Sequence, residues 1–245
     1  MKKLQFSIIL LLFSLCLTAC SIKTVSTQPM KPVPYPGEIS QLEANQNYWW
    51  YVRFRMVWDK TSDQVNFSNN LIIAHQIINP VLNANKDQIK LWRFHRRVAN
   101  DAAGHQFSFI FYAPVDTAYL IFDQVKKHPV SEQLIKHQIV QKIQTDSPLR
   151  PRRPNIEDTS DSHWTKSIQK SWPYYIMGVS ILWLDLLNQE TIKAQLDTNQ
   201  PIESQMQQYQ TIHNTMTEQW KSQAKHAYFH HINAIFAYEP IEVRY

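Results

Sequence analysis

The chain contains very little glycine. Gly37, Gly104 and Gly178 are the three glycines in 245 residues, whereas an average composition of about 7% would give roughly 17. Loops that wrap a phosphate or a dinucleotide need several glycines, because their backbone takes positive φ angles and approaches the ligand closely. The sequence has neither a Walker loop nor a G-x-G-x-x-G motif. This excludes most nucleotide-dependent enzymes and favours a helix-rich fold with few tight hairpins.

Cysteine is equally scarce. Cys16 and Cys20 both lie in the stretch "FSLCLTACSIK", and the following 225 residues contain none. Disulfides therefore cannot staple the rest of the chain, and its stability must come from packing. Eight tryptophans, eleven tyrosines and eleven phenylalanines supply the apolar surface for a core.

The N-terminal segment has the pattern of a secretory signal peptide, with two lysines followed by a long uncharged run. The quartet "LTAC", which ends at Cys20, resembles a lipobox, the processing site of bacterial lipoproteins. The resemblance implies that residues 1–19 are removed, Cys16 with them, and that acyl chains such as palmitate are bonded to the sulfur of Cys20. It covers about twenty residues and implies nothing about the globular part.

The same resemblance implies where the protein is held. A processed lipoprotein cysteine carries two or three acyl chains, and more than one chain is needed for stable membrane attachment. In this family an Asp after the cysteine often marks retention in the inner membrane. Ser21 stands there, which implies the outer membrane, with the globular domain in the periplasm or at the cell surface. The alternative is an uncleaved membrane anchor, since the nineteen residues from 4 to 22 carry no charge.

The charge balance is only mildly basic. The net charge of +5 becomes +3 once Lys2 and Lys3 leave with the signal peptide, which is a weak field for a nucleic-acid-binding domain. We therefore expect no nucleic acid, no nucleotide and no cofactor. The expected partners are the bilayer, through Cys20, and an envelope protein or glycan.

The residue pattern predicts one helix-rich α+β domain behind a tether. Residues 20–45 hold four prolines between Pro29 and Pro36, so they are expected to be extended and stiff. Residues 46–245 mix strand-like and helix-like patterns, which predicts a small sheet of a few strands packed against helices. The stretch 145–162 is rich in proline and charge; it is predicted to be a long connection that could be mobile.

Period-two alternation predicts strands at 52–58, at 105–113 and, at the C terminus, at 241–245. Apolar spacing of three and four residues predicts the helices, at 69–79, 87–103, 115–127, 131–144, 172–184 and 206–230. Pro80 is expected to end the first helix, and Gly104 to cap the second. The run 172–184 is uncharged and is expected to be buried. A competing interpretation makes "IKLWRF" at 89–94 a strand of a hairpin.

The densest polar cluster lies at "RFHRRVANDAAGH", residues 93–105. On the predicted helix, Arg93, Arg96 and Arg97 would share a face whose planar guanidinium groups suit a phosphate or a carboxylate. The alternative is a solvated arginine face in which Asp101 pairs with Arg97, one turn away.

Three titratable residues of the same stretch suggest a hydrolase. Asp101 could orient His105 as a general base, with His95 nearby. Gly178-Val179-Ser180 resembles half of a nucleophile elbow, but Leu182 stands where the second glycine belongs. A small residue that permits close helix packing is the simpler interpretation of Gly178.

Two further groups have a functional and a structural interpretation. His226 and His230 are four residues apart on a predicted helix, the spacing of a metal pair, but Ala227 stands where a metalloprotease has glutamate. Ordinary packed or exposed histidines are the alternative. The aromatic run 48–51 could stack on sugar rings or form a partner-binding patch, or it could fill one end of the core.

Three function classes thus remain: a non-catalytic binding or accessory module of the envelope, an envelope hydrolase using His95, Asp101 and His105, and an anion-binding module using Arg93, Arg96 and Arg97. The first is preferred, because no residue group forms a convincing catalytic motif.

Overall fold

Four antiparallel strands form a single sheet in the order β2-β3-β1-β4. The computed structural model describes residues 46–57, 66–97 and 104–239. Strand β1 is Asn47–Met56, β2 is Leu91–Arg97, β3 is Gln106–Pro114 and β4 is Val140–Thr145. The signal peptide, Cys20, the tether and the C-terminal strand are predictions that lie outside the described residues.

Five longer helical regions and one short 3-10 helix, Ile156–Thr159, accompany this sheet in the described part of the chain. Helix α1 runs through α-helical Asn69–Ile72, π-helical Ile73–Ile78 and α-helical Asn79–Ala84. Helices α2, α3 and α4 are Val115–Lys126, Pro129–Lys136 and Lys166–Lys193. Helix α5 runs through Ile202–Gln219, a π-helical turn at Trp220–Ala224, and Lys225–Ile235. The predicted α+β class is therefore confirmed.

The central strands β1 and β3 lie where the sequence predicts strands. Burial alternates along β1 from Tyr51 to Met56, whereas every residue of β3 from 107 to 113 is buried. Val52 and Phe54 of β1 are fully buried, as are Phe107 and Phe109 of β3, and these side chains form the main core. Helix α2 packs on both strands, and α1 and α3 continue this helical layer. The opposite face of the sheet holds a smaller apolar cluster around Trp49.

Strand β2 replaces the predicted helix 87–103, which is wrong over the described residues. Leu91–Arg97 pairs with β3 in an antiparallel register, so the competing strand interpretation is the one observed. Leu91 packs in the small cluster and Trp92 in the main core, on opposite faces of the sheet. Because both faces of β2 are partly buried, its apolar residues do not alternate and imitate helical spacing.

Strand β4 also departs from prediction. Helix α3 ends at Lys136, and the expected helix to residue 144 gives way to a strand that pairs with β1. Val140 and Ile143 are three apart, a helical spacing, yet they pair with Met56 and Phe54 on the core face. The register shifts by one residue opposite Arg55 and Met56, where Gln141 of β4 is the extra residue, and this bulge makes the pairing possible.

Helix α1 passes through Pro80, where the sequence predicts an end. Pro80 lies just after the π-helical turn Ile73–Ile78, at the second position of the next α-helical segment. The hydrogen-bond register changes there, so a missing N–H is tolerated. The π turn also aims His75 and Gln76 at α5, where both contact the hydroxyl of Tyr209, at 2.7 and 3.0 Å. These bonds fasten α1 to α5.

Helix α4 is long and only partly buried, which corrects the prediction of a buried helix at 172–184. It packs along β2 and against α1 and α5 through one stripe that includes Leu184 and Leu187. Its other faces expose large apolar side chains: Ile168, Tyr174, Tyr175, Val179, Ile181 and Leu182. No helix in the described ranges has both the length and the apolar character needed to cross a membrane.

The predicted connection is present after β4 and is bonded to the sheet. The indole N–H of Trp49 donates to the carbonyls of Asn155 and Ile156, both at 3.0 Å. The hydroxyl of Tyr112 donates to the carbonyl of Pro154 at 2.6 Å. These bonds cover one end of the outer sheet face; mobility of the segment stays a prediction.

Candidate functional site

The three arginines predicted to share a helix face lie on a strand instead. Side chains alternate along β2, so Arg93 and Arg97 lie on one face of the sheet and Arg96 on the other. Arg93 donates from Nη2 to the carbonyl of Thr159 at 3.1 Å, and Arg97 is exposed. The predicted common face therefore does not form.

The histidines of the hydrolase hypothesis do not meet either. His95 is exposed and pairs across the sheet with Ser108. His105 is 4% exposed, packs edge-on against Phe67 and places Nδ1 3.0 Å from the carbonyl of Arg97. It lies beside Arg96, on the face opposite His95. Asp101, the third member, lies outside the described residues.

The nucleophile-elbow interpretation fails because Ser180 lies in the middle of α4. Its hydroxyl donates to the carbonyl of Ile176 at 2.8 Å and accepts from the backbone N–H of Phe94 at 3.1 Å. Ser180 thus bonds α4 to the outer edge of β2. A Cβ at Gly178 would meet nothing within 4 Å, so that glycine does not serve close packing.

His226 and His230 share one face of α5, as their spacing predicts, with ring centroids 5.8 Å apart. In the ranges that the structure describes, no group of three His, Cys, Asp or Glu residues is placed to hold a metal ion. In the aromatic run, Trp49 and Trp50 are each 1% exposed and fill the core. Neither indole face is open to a sugar.

Two adjoining clefts lie where β2, α4 and α5 meet. One, of about 320 Å³, lies between β2 and α4, and the other, of about 260 Å³, lies between α4 and α5. Arg96, Val179 and Trp183 line both. The second cleft is mostly apolar; its other lining residues are Leu182, Leu186, His213, Met216, Thr217, Trp220, Ala224 and Tyr228.

Arg96 is the charged group at the junction of the clefts. Its guanidinium carbon lies 4.4 Å from the ring centroid of Trp183 and 5.9 Å from that of Phe67. Its Nη2 is buried and has no hydrogen-bond partner among the described residues. Burial lowers the pKa of Arg96 to about 10, so the group remains charged at neutral pH. Neither cleft has an Asp or Glu among its lining residues.

Two histidines near Arg96 have a lowered pKa. Burial lowers the pKa of His213, and the positive charge of Arg96 lowers it further. Burial likewise lowers the pKa of His105, with a smaller contribution from Arg96. A buried charge without a counter-ion is costly, and proteins normally pair it. The arrangement therefore suits a ligand that brings an anionic group to Arg96 and lays an apolar body along the cleft.

Arg96 could be identified from the sequence, but the residues around it could not. Trp183 lies within the apolar run of α4, and His213 interrupts the apolar stripe of α5 between Tyr209 and Met216. That polar interruption is the one signal in the sequence that pointed at the cleft. The helical prediction also gave no indication that Arg96 lies on the face opposite Arg93 and Arg97, because that follows from the alternation of side chains along strand β2.

Comparison with known proteins provides no family. No protein-family model matches the chain, and no curated protein matches it. Among solved structures, the chain is similar to the crystal structure of TsrL, with a TM-score of 0.34 and 12% sequence identity over 76% of this chain. The match spans 55% of the length of TsrL. A likeness at this TM-score carries no argument about function.

Proposed function

We propose that the protein is a non-catalytic binding module of the bacterial envelope, and that its ligand is an amphipathic anion held in the clefts around Arg96. The observation that carries this proposal is the guanidinium of Arg96, which lines an apolar cleft and whose buried Nη2 has no hydrogen-bond partner among the described residues. Of the three arginines in the anion-binding hypothesis, this proposal keeps Arg96 and leaves out Arg93 and Arg97.

The position of Arg96 indicates how such a ligand would bind. A carboxylate or phosphate head group at the junction could accept hydrogen bonds from the planar guanidinium. An acyl-like body would then contact Leu182, Met216 and Trp220 in the α4–α5 cleft. Its burial would contribute about 25 cal/mol for each Å² of apolar surface removed from water.

A head-group comparison tests the ligand class. The probes are dodecyl phosphate, dodecyl maltoside and dodecyltrimethylammonium, below their micelle concentrations, added to the chain carrying Cys20→Ser so that no acyl chain competes. We expect tight binding of the phosphate probe alone, seen by calorimetry and by tryptophan fluorescence. Arg96→Gln should remove the preference, and Arg97→Gln, on the opposite face of the same strand, should keep it. Equal affinity for all three probes in the unaltered site would refute the proposal.

The location is also a proposal: acyl chains on Cys20 hold the protein in the outer membrane, with the globular domain in the periplasm or at the cell surface. The lipobox resemblance at "LTAC" supports it. Intact mass spectrometry should find a chain that begins at residue 20 and carries acyl groups. Cys20→Ser should release the protein from the membrane fraction, and unchanged fractionation would count against this anchor.

A further inference from the structure

We propose a second binding site, independent of Arg96, in the cleft between β1 and the connection that follows β4. The cleft has a volume of about 610 Å³ and takes a phosphate-bearing ligand. Its lining residues are Trp50, Arg53, Thr145, Asp146, Ser147, Arg150, Arg152 and Arg153. Arg150, Arg152 and Arg153 belong to the stretch "LRPRRP".

The backbone leaves β1 and returns to it, which forms the cleft. The N–H of Asp146 donates to the carbonyl of Tyr51 at 3.2 Å, and the N–H of Trp49 donates to the carbonyl of Arg153 at 3.0 Å. Tyr51 and Trp49 of β1 are thus bonded to the two ends of an eight-residue part of the connection, 146–153. The intervening residues must bulge away from the strand, and they carry Arg150 and Arg152 with them.

Two of the four arginines are fixed in place. The carboxylate of Asp146 accepts from Nη1 of Arg53 at 2.9 Å, from Nη2 of Arg153, and from the N–H of Tyr51 at 3.2 Å. Both guanidinium carbons lie 4.3 Å from the ring centroid of Tyr51. Nε of Arg153 is buried and has no hydrogen-bond partner in the described ranges. One carboxylate therefore serves two guanidinium groups and leaves donors unused.

The other two arginines have no counter-ion in the described part of the chain. Arg150 and Arg152 are exposed, and their side chains form no hydrogen bond or ion pair with described residues. The lining thus holds four cations and one anion, a net charge of +3. Pro151 and Pro154 restrict the backbone that carries these charges. Like charges kept this close repel one another unless an anion joins them.

The neighbouring sheet face adds to the positive field. The strand registers place further cations on the same face as Arg53, namely Arg55, Arg93, Arg97 and Lys142. Two carboxylates, Glu157 and Asp158, lie near Tyr112 of this face. A phosphate group matches this field better than a single carboxylate does, since it carries up to two charges and three acceptor oxygens. The planar fork of arginine suits those oxygens.

The test uses the full-length chain carrying Cys20→Ser and two probes, pyrophosphate in solution and vesicles of phosphatidylglycerol, with phosphatidylcholine vesicles as the reference. Arg150→Gln with Arg152→Gln should weaken binding roughly tenfold or more. The matched control is Lys136→Gln with Lys221→Gln, which removes the same charge from exposed helix positions and should leave binding unchanged.

Each outcome decides a point. Binding of pyrophosphate alone identifies a free phosphate-bearing ligand, and binding of the charged vesicles alone identifies a lipid head group. Failure of both probes, or equal weakening in the control pair, overturns the proposal. Arg96→Gln should leave this binding intact, so failure at one site is distinguishable from failure at the other.

Discussion

Replacing Arg96 by methionine should stabilise the protein. Burial lowers the pKa of Arg96 from 12.5 to about 10. At about 1.4 kcal/mol for each pKa unit, keeping the guanidinium charged costs the fold roughly 3 kcal/mol. The contact with Trp183 returns about 0.5 to 2 kcal/mol. Part of the side chain is reached by solvent, which reduces the cost, so we expect a net gain of about 1 kcal/mol in Arg96→Met.

Urea unfolding followed by far-ultraviolet circular dichroism measures this gain. For a domain of this size, 1 kcal/mol corresponds to a rise in Tm of about 2 to 4 °C. Lys142→Met is the matched control, because Lys142 is an exposed cation on strand β4 and its replacement should change stability by less than about 0.5 kcal/mol.

The same variant should lose the ligand while it gains stability. Dodecyl phosphate should raise the Tm of the unaltered cleft, because a ligand that binds only the folded state stabilises it, and it should leave the Tm of Arg96→Met unchanged. A loss of 1 kcal/mol or more in Arg96→Met would refute the reasoning. It would mean that the guanidinium supports the fold and is not held ready for an anion.

Three further predictions concern stability. Gly178→Ala should stabilise α4 by about 0.5 to 1 kcal/mol, since the added methyl group meets nothing within 4 Å; a lower Tm would contradict this. Ser180→Ala should cost about 1 to 2 kcal/mol in urea unfolding, because the N–H of Phe94 loses its acceptor; Ser171→Ala, on the exposed part of α4, is the control. Burial lowers the pKa of four histidines, His75, His105, His128 and His213. Below about pH 6.5 these histidines bind protons in the unfolded chain more readily than in the folded protein. The free energy of unfolding should therefore be highest above that pH. It should fall as the pH is lowered, by up to about 1.4 kcal/mol per pH unit for each histidine. Equal unfolding midpoints at pH 7 and pH 5 would argue against it.

Strands that bury one face could be predicted from the sequence. In β1, Val52, Phe54 and Met56 all point into the core while the residues between them do not. That contrast is the signal that period-two alternation reports. Helix α2 could be predicted for a similar reason, since one face is buried on the sheet and Pro114 marks its start.

The edge strands could not be predicted because tertiary features erase the alternation. In β4 the bulge opposite Arg55 and Met56 brings Val140 and Ile143 to the same face. No local pattern in the sequence of β4 indicates this bulge. In β2 the apolar residues pack in two different clusters, one on each face of the sheet. Their spacing in the sequence therefore does not alternate.

The candidate site was predictable only as a list of residue types. The sequence shows Arg96 among other arginines, and only the strand geometry isolates it from them. Its neighbours Trp183 and His213 are 87 and 117 positions further along the chain, so local spacing holds no information about the cleft. The arginines of the second cleft stand together in "LRPRRP", yet Arg53, which completes them, comes from another strand.

The π-helical turn at Trp220–Ala224 separates two parts of α5 that differ in burial and in local stability. Before it, Met216 is 5% exposed; after it, no residue of Lys225–Ile235 is buried. A helical end of this length has little intrinsic stability in water. Its amides should therefore exchange with deuterium rapidly, through local fraying. The amides near Tyr209 should exchange slowly, because their exchange requires global unfolding. A molecule that binds to Lys225–Ile235 should therefore slow the deuterium exchange of these amides.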